Sequence, residues 1–182
     1  SPTAIEMFSD PQQIVPRLGL NEGMAVADFG SGSGAYALAM AERVGDSGRI
    51  YAVDVQKNLL ERLAGEARAR GRGNLHVVWG NAERVGGSQL ADRSVDLVLV
   101  ANLLFQSSAR YSLLLEAKRV LRPGGRLAVI DWLDSFGGLG PAPEAVIKPD
   151  EVKTVAGEAG FTSVEEFPAG EHHYGLLFKN MS

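Results

Sequence analysis

The 182-residue chain contains no cysteine. That absence excludes disulfides, thiolate metal sites and a cysteine nucleophile, and it suits a reducing compartment such as the cytoplasm. Histidine is nearly as scarce, with three residues, His76, His172 and His173, so no histidine-based metal site is expected. His172 and His173 are neighbours on a candidate strand, face opposite sides, and read as a solvated hairpin edge. Long apolar runs are also missing. A stretch such as Leu97-Val98-Leu99-Val100-Ala101 is far shorter than the roughly 20 residues that cross a bilayer. Ser1 to Glu6 carry neither the basic start nor the apolar run of a secretory signal. Nor is there an excess of positive charge. A net charge of -4 argues against the phosphate-neutralising surface on which nucleic-acid affinity largely rests.

Against these absences stands an ordinary globular composition, with 45% hydrophobic and 22% charged residues. The length fits one domain over residues 1–182. Short β-type runs alternate with amphipathic stretches, the pattern of successive βα units over a mostly parallel sheet. Strands are expected over Met24 to Phe29, Arg49 to Asp54, Leu75 to Gly80, Val95 to Ala101 and Arg126 to Trp132. Helices are expected over Gly34 to Val44, Gln56 to Arg70 and Ser108 to Leu121, with a short one over Gly87 to Ala91 and an opening one over Asp10 to Leu18. Gly45, Gly71 and the turn Arg122-Pro123-Gly124-Gly125 punctuate them. Phe136 to Pro149, rich in Gly and Pro, reads as a loop of the length often given to function. A helix over Pro149 to Ala159 follows, and then a hairpin of Phe161 to Phe167 and His172 to Lys179.

The chemistry concentrates where the first strand meets its helix. In Val26-Ala27-Asp28-Phe29-Gly30-Ser31-Gly32-Ser33-Gly34, a strand runs into a glycine-dense turn at the edge where open α/β sheets bind ligands. Glycine lets the backbone approach a ligand, and the helix start after Gly34 offers unpaired amides and a positive dipole end, suited to a carboxylate or phosphate. The second strand, Tyr51-Ala52-Val53-Asp54, ends in an acid. Its carboxylate can accept hydrogen bonds from the vicinal hydroxyls of a ribose, or it can cap the helix starting near Gln56. Both signals also fit NAD, because Gly30, Gly32 and Ala35 satisfy the dinucleotide pattern. An NAD-dependent oxidoreductase therefore stays open here, as does a nucleoside-binding partner without chemistry.

Further motifs separate these readings. From Met24 to Trp132, and more loosely to Lys179, the chain resembles the class I S-adenosylmethionine-dependent methyltransferases, most of all the small type 11, ubiquinone-methylase-like group. Asp28-Phe29-Gly30-Ser31-Gly32-Ser33-Gly34 matches that family's first motif. Asp54, followed by Val55, matches its ribose-binding acid, and Gly80-Asn81-Ala82-Glu83 its adenine-holding segment. Asn81 stands where the family usually has Asp; a carboxamide both accepts and donates, so its partner on adenine changes. Ser94 to Phe105 resembles the strand beneath the cofactor's methionine part, with Ala101 and Asn102 at the site. Val120 to Leu127 matches the turn before the fifth strand, which NAD enzymes do not characteristically carry.

The resemblance implies a doubly wound, Rossmann-like α/β fold with a seven-stranded sheet ordered 3-2-1-4-5-7-6, strand 7 antiparallel. It implies S-adenosylmethionine as cofactor, held by Asp28, Gly30, Ser31, Gly32, Gly34, Asp54, Val55, Asn81, Ala82, Glu83, Ala101 and Asn102, with no metal. The methyl acceptor expected is a small molecule. The Asn/Asp-Pro-Pro-aromatic tetrad of nucleic-acid amino-methylating relatives is replaced by Asn102-Leu103-Leu104-Phe105, although some RNA and protein methylases also lack it. Arsenite-methylating relatives rely on cysteines that this chain does not have. In-line methyl transfer needs alignment more than a strong base, so no catalytic residue is assigned. Tyr36, Asn102, Phe105, Asp131 and Trp132 are the candidates for facing the reaction site.

Overall fold

The computed structural model describes residues 9–135, 138 and 140–181. The expectations for Ser1 to Glu6 and for Phe136 lie outside them. Seven strands form one sheet: β1 Ala25–Phe29, β2 Arg49–Asp54, β3 Leu75–Trp79, β4 Val95–Ala101, β5 Leu121–Trp132, β6 Phe161–Pro168 and β7 His173–Asn180. Their order is β3-β2-β1-β4-β5-β7-β6. The first five pair in parallel, and β7 runs antiparallel to both β5 and β6. The expected topology is met, including the antiparallel end.

Alternation along the central strands builds the two layers. In β4, Leu97 and Leu99 face one cluster, with α2 (Ala35–Val44) and α3 (Lys57–Ala69), while Val98 and Val100 face another, with α4 (Arg110–Val120) and α5 (Pro149–Glu158). Buried on both faces, β1 and β4 read as continuous apolar runs, as parallel strands do.

Three elements differ from the sequence-based expectation. The opening helix is one α turn, α1 (Pro11–Ile14), continued as a 3₁₀ turn over Val15–Leu18; Pro16 lacks the amide that would extend an α-helix. Gly87 to Ala91 forms turns, not a helix. The buried Glu116 carboxylate of α4 gathers that segment, accepting from Gly86 N at 2.7 Å, Ser88 N at 3.0 Å and Ser88 Oγ at 2.5 Å. Gly86 and Gln89 take left-handed φ values of 83° and 66°, which a helix cannot accommodate. Finally, β5 begins at Leu121, which pairs with Val95 before Arg122 to Gly125 bulge out; the ladder resumes at Leu97 and Arg126.

Candidate cofactor site

The site sits at the C-terminal edge of β1 to β4, above the ends of the parallel strands. A cavity of about 390 Å³ opens there, within the range of small-molecule and cofactor sites. Of the residues expected at a cofactor, Asp28, Gly30, Ser31, Gly32, Asp54, Val55, Asn81, Ala82, Glu83, Ala101 and Asn102 line it. Gly34 does not. It serves beneath as the left-handed N-cap of α2, φ 85°, where an added Cβ would run into the Leu63 side chain.

The glycine loop is held by the neighbouring strand. Gly30 N and Ser31 N both donate to Val53 O, at 2.8 and 3.0 Å, and Gly34 N donates to Ser31 O at 2.9 Å. Asp54 Oδ2 accepts from Gly32 N at 2.8 Å and Oδ1 from Gln56 N at 2.9 Å. The acid thus fixes both the loop and the entry to α3, and each oxygen keeps a second lone pair for a ligand. No side chain caps α2, which leaves its dipole end for the site.

Two buried polar atoms in the wall have no partner among the described residues, Asp28 Oδ2 and Ser31 Oγ. Orphaned groups of this kind cost free energy unless a ligand or water meets them. Burial, with the Asp54 charge adding to it, pushes the Asp28 carboxyl up to about 7. A ligand that brings a cation and hydrogen-bonding hydroxyls fits this wall, and S-adenosylmethionine carries both. At the far end, Asn81 Oδ1 accepts from Glu83 N at 3.0 Å, so its NH₂ remains to donate. Trp79 Nε1 donates to Val55 O at 3.1 Å, and the Lys57 ammonium lies 3.7 Å over the Trp79 ring, steadying the exposed Val55 rim.

The other candidates divide. Tyr36 lines the cavity and donates its hydroxyl to Ser9 Oγ at 2.9 Å; burial drives its pKa upward, so it stays protonated. Phe105, Asp131 and Trp132 do not line it. Fully buried Asp131 accepts from Trp132 N at 2.8 Å and Phe105 N at 3.3 Å, organising the turn after β4. The expected solvated edge at the histidines needs correction. His173 is 1% exposed, its ring 4.2 Å from that of Trp132, because β7 lies inside the sheet and not at its rim. His172 pairs with Asp134 at 2.8 Å. Sequence reasoning missed Ser9, Pro11, Leu103 and Gln106 in the wall; only Pro11 had a signal, through the opening helix expected over Asp10 to Leu18.

Comparisons with known proteins point to one family. Residues 20–159 match the methyltransferase domain family. A SAM-dependent methyltransferase structure from Aquifex aeolicus superposes with a TM-score of 0.88 at 30% identity, covering 99% of this chain and 94% of that one. Demethylmenaquinone methyltransferase of Geobacillus kaustophilus is 29% identical over 120 residues, 66% of this chain and 50% of the relative. The ubiquinone/menaquinone biosynthesis C-methyltransferase of Haemophilus ducreyi is 27% identical over 180 residues, 82% of this chain and 68% of that protein. The chain therefore spans about half to two thirds of the length of these curated relatives. The oxidoreductase reading is not favoured, since the matched family and these relatives are methyltransferases. The glycine loop, the acid closing β2 and the order of the sheet are those of a family to which this chain belongs, the class I S-adenosylmethionine-dependent methyltransferases.

Proposed function

We propose that residues 1–182 act as a single domain that binds S-adenosylmethionine in this cavity and transfers its methyl group to a small-molecule acceptor. The observation that carries the reading is the pair of orphaned atoms, Asp28 Oδ2 and Ser31 Oγ, in a cavity also lined by Asp54 and Asn81. When bound, the cofactor supplies an electrophilic methyl on a sulfonium, and the C–S electron pair stays on sulfur as the acceptor's lone pair forms the new bond. The chain's own part is positional. Asp54 accepts from the ribose hydroxyls, Asn81 and the Ala82 amide meet adenine, and Asp28 with Ser31 receives the amino-acid end. Ser9 and Pro11 close one side of the cavity, excluding water, and alignment of this kind accounts for much of the rate in in-line transfer.

A small acceptor is supported by the relatives named for demethylmenaquinone and for ubiquinone and menaquinone biosynthesis, and by the net charge of -4. No helix among the described residues is long and apolar enough to cross a membrane. The cysteine-free composition, which has no use for an oxidising compartment, supports a cytoplasmic location. Thermal unfolding with S-adenosylhomocysteine and, separately, with NAD tests the reading. Ligand at 100 times its dissociation constant stabilises by about 2.7 kcal/mol, so a shift with S-adenosylhomocysteine alone is expected, and a shift with NAD alone would overturn it.

A further inference from the structure

Asn102 is one of three non-glycine residues with positive φ among those described, at 55°. Asn tolerates this conformation better than most residues, and its use at a cavity wall marks a side chain aimed for a purpose. The backbone is pinned by Asn102 N donating to Ile130 O at 2.8 Å. The side chain is pinned as well: Oδ1 lies 2.9 Å from Nε2 of His173, 71 residues away in sequence. A carboxamide oxygen only accepts, so Nε2 of His173 carries the hydrogen. The Asn102 NH₂ then makes no hydrogen bond to any described residue, and Asn102 lines the cavity.

The sheet order says what lies at that spot. Under the proposed function, on which this step rests, adenine sits over β3, ribose over β2 and the amino-acid end over the loop after β1. The neighbours beyond are β4, β5 and β7, and Asn102, Trp132 and His173 stand at their ends. This is the acceptor side of the transferred methyl. We propose that His173 is a positioning residue for methyl transfer. Its Nε2–H fixes the Asn102 carboxamide so that the NH₂ group donates to the acceptor, which therefore carries a hydrogen-bond-accepting oxygen, such as a carbonyl, phenolate or carboxylate, beside the methylated atom. Packing against Trp132 keeps the imidazole in register, since Trp132 and His173 are paired residues of β5 and β7.

The test compares His173→Phe, which keeps a ring against Trp132 but loses the donor, His173→Gln, which keeps a donor near the Nε2 position, and Asn102→Ala. Three readouts are taken: the NMR signals of the Asn102 side-chain NH₂, the dissociation constant of S-adenosylhomocysteine, and methyl transfer to a panel pairing oxygen-bearing compounds with their amine counterparts. The expected result is that His173→Phe shifts the Asn102 NH₂ signals and His173→Gln restores them, with S-adenosylhomocysteine affinity within about twofold in the two His173 variants. For an accepted compound, KM or kcat should worsen about fivefold in His173→Phe, the factor for one neutral hydrogen bond, and the double variant of His173→Phe with Asn102→Ala should be no worse than Asn102→Ala alone. Asn102 signals indifferent to His173→Phe would overturn the positioning role, and so would cofactor affinity falling in step with them. Preference for the amine counterparts would overturn the acceptor chemistry. If the panel yields no substrate, signals and affinities decide. Failure of the wild-type protein to bind S-adenosylhomocysteine sinks the proposed function instead, while the Asn102 signals still report on the His173 contact.

Discussion

The Asp54 carboxylate accepts the Gly32 amide hydrogen at 2.8 Å, tying the end of β2 to the loop that leaves β1. Its other oxygen holds Gln56 N at the start of α3. One side chain therefore sets the loop's shape and presents its remaining lone pairs to the cavity. Asp54→Ala is expected to weaken S-adenosylhomocysteine binding by one to two decades, about 1.5–3 kcal/mol for hydrogen bonds to a charged group. Calorimetric titration measures this, and unchanged affinity would remove Asp54 from the ribose role.

Stability should fall as the pH rises toward neutrality. Asp28 is raised from 3.8 to about 7 and Asp131 to about 6, in both cases chiefly by burial. The folded state then holds these protons more tightly than the unfolded chain, so stability present near pH 4 is lost as the pH rises through 6 to 7. Glu116 acts with the opposite sign. Burial pushes its carboxyl up, but hydrogen bonds from Arg119, Ser88 and the Gly86 and Ser88 amides outweigh that and hold it below 4.5; its contribution is lost only in more acidic solution. Without ligand, the melting temperature at pH 5 should exceed that at pH 7.5 by several degrees, 1 kcal/mol corresponding to about 3 °C at this size. Asp28→Asn should flatten the difference; an equal slope in the variant would assign it elsewhere.

Adding a ligand that brings an ammonium beside Asp28 reverses the Asp28 effect. An ammonium facing Asp28 favours the ionised carboxylate, so S-adenosylhomocysteine should bind more tightly at pH 8 than at pH 6 and release protons on binding. Titrations in two buffers of different ionisation enthalpy count those protons, and a count of zero would place the amino-acid end away from Asp28.

Gly32 and Gly34 should fail in different ways. At Gly34 an added Cβ meets Leu63, and φ is 85°; at Gly32, φ 55°, nothing lies within 4 Å. Gly34→Ala is expected to cost about 2 kcal/mol or more in stability, from overpacking and left-handed strain together. Gly32→Ala should cost about 1 kcal/mol while placing a methyl group in the cavity wall and weakening S-adenosylhomocysteine binding more than Gly34→Ala does. Paired melting and binding curves separate the two.

Glu116→Ala should loosen the segment that holds Asn81, whose amide donates to Gly87 O at 2.9 Å. The Glu116 carboxylate is fully buried and also binds Arg119 Nε at 2.7 Å, and removing one partner of such a network costs about 3 kcal/mol. Hydrogen exchange at Gly86 and Ser88 should accelerate beyond the global change; uniform acceleration would deny the local role.

Much of the cofactor side was legible because its information is local. Glycines at Gly30, Gly32 and Gly34 meet positive φ where they stand, and Asp28 and Asp54 lie in the last two positions of strands whose apolar pattern is plain in the sequence. Gly87 to Ala91 misled for the opposite reason. The segment has helical spacing, but a carboxylate some thirty residues away captures its amides.

Short-range periodicity and turn chemistry by themselves determined the succession of strands and helices, the glycine loop and the two acids at the site. Only the tertiary structure decided what surrounds the proposed acceptor side. The insertion of β7 between β5 and β6 brings His173 against Trp132 and Asn102, and no local spacing encodes a contact made across 71 residues by strand pairing. Two adjacent histidines look alike in sequence, whereas packing buries one against Trp132 and Asn102 and leaves the other to Asp134.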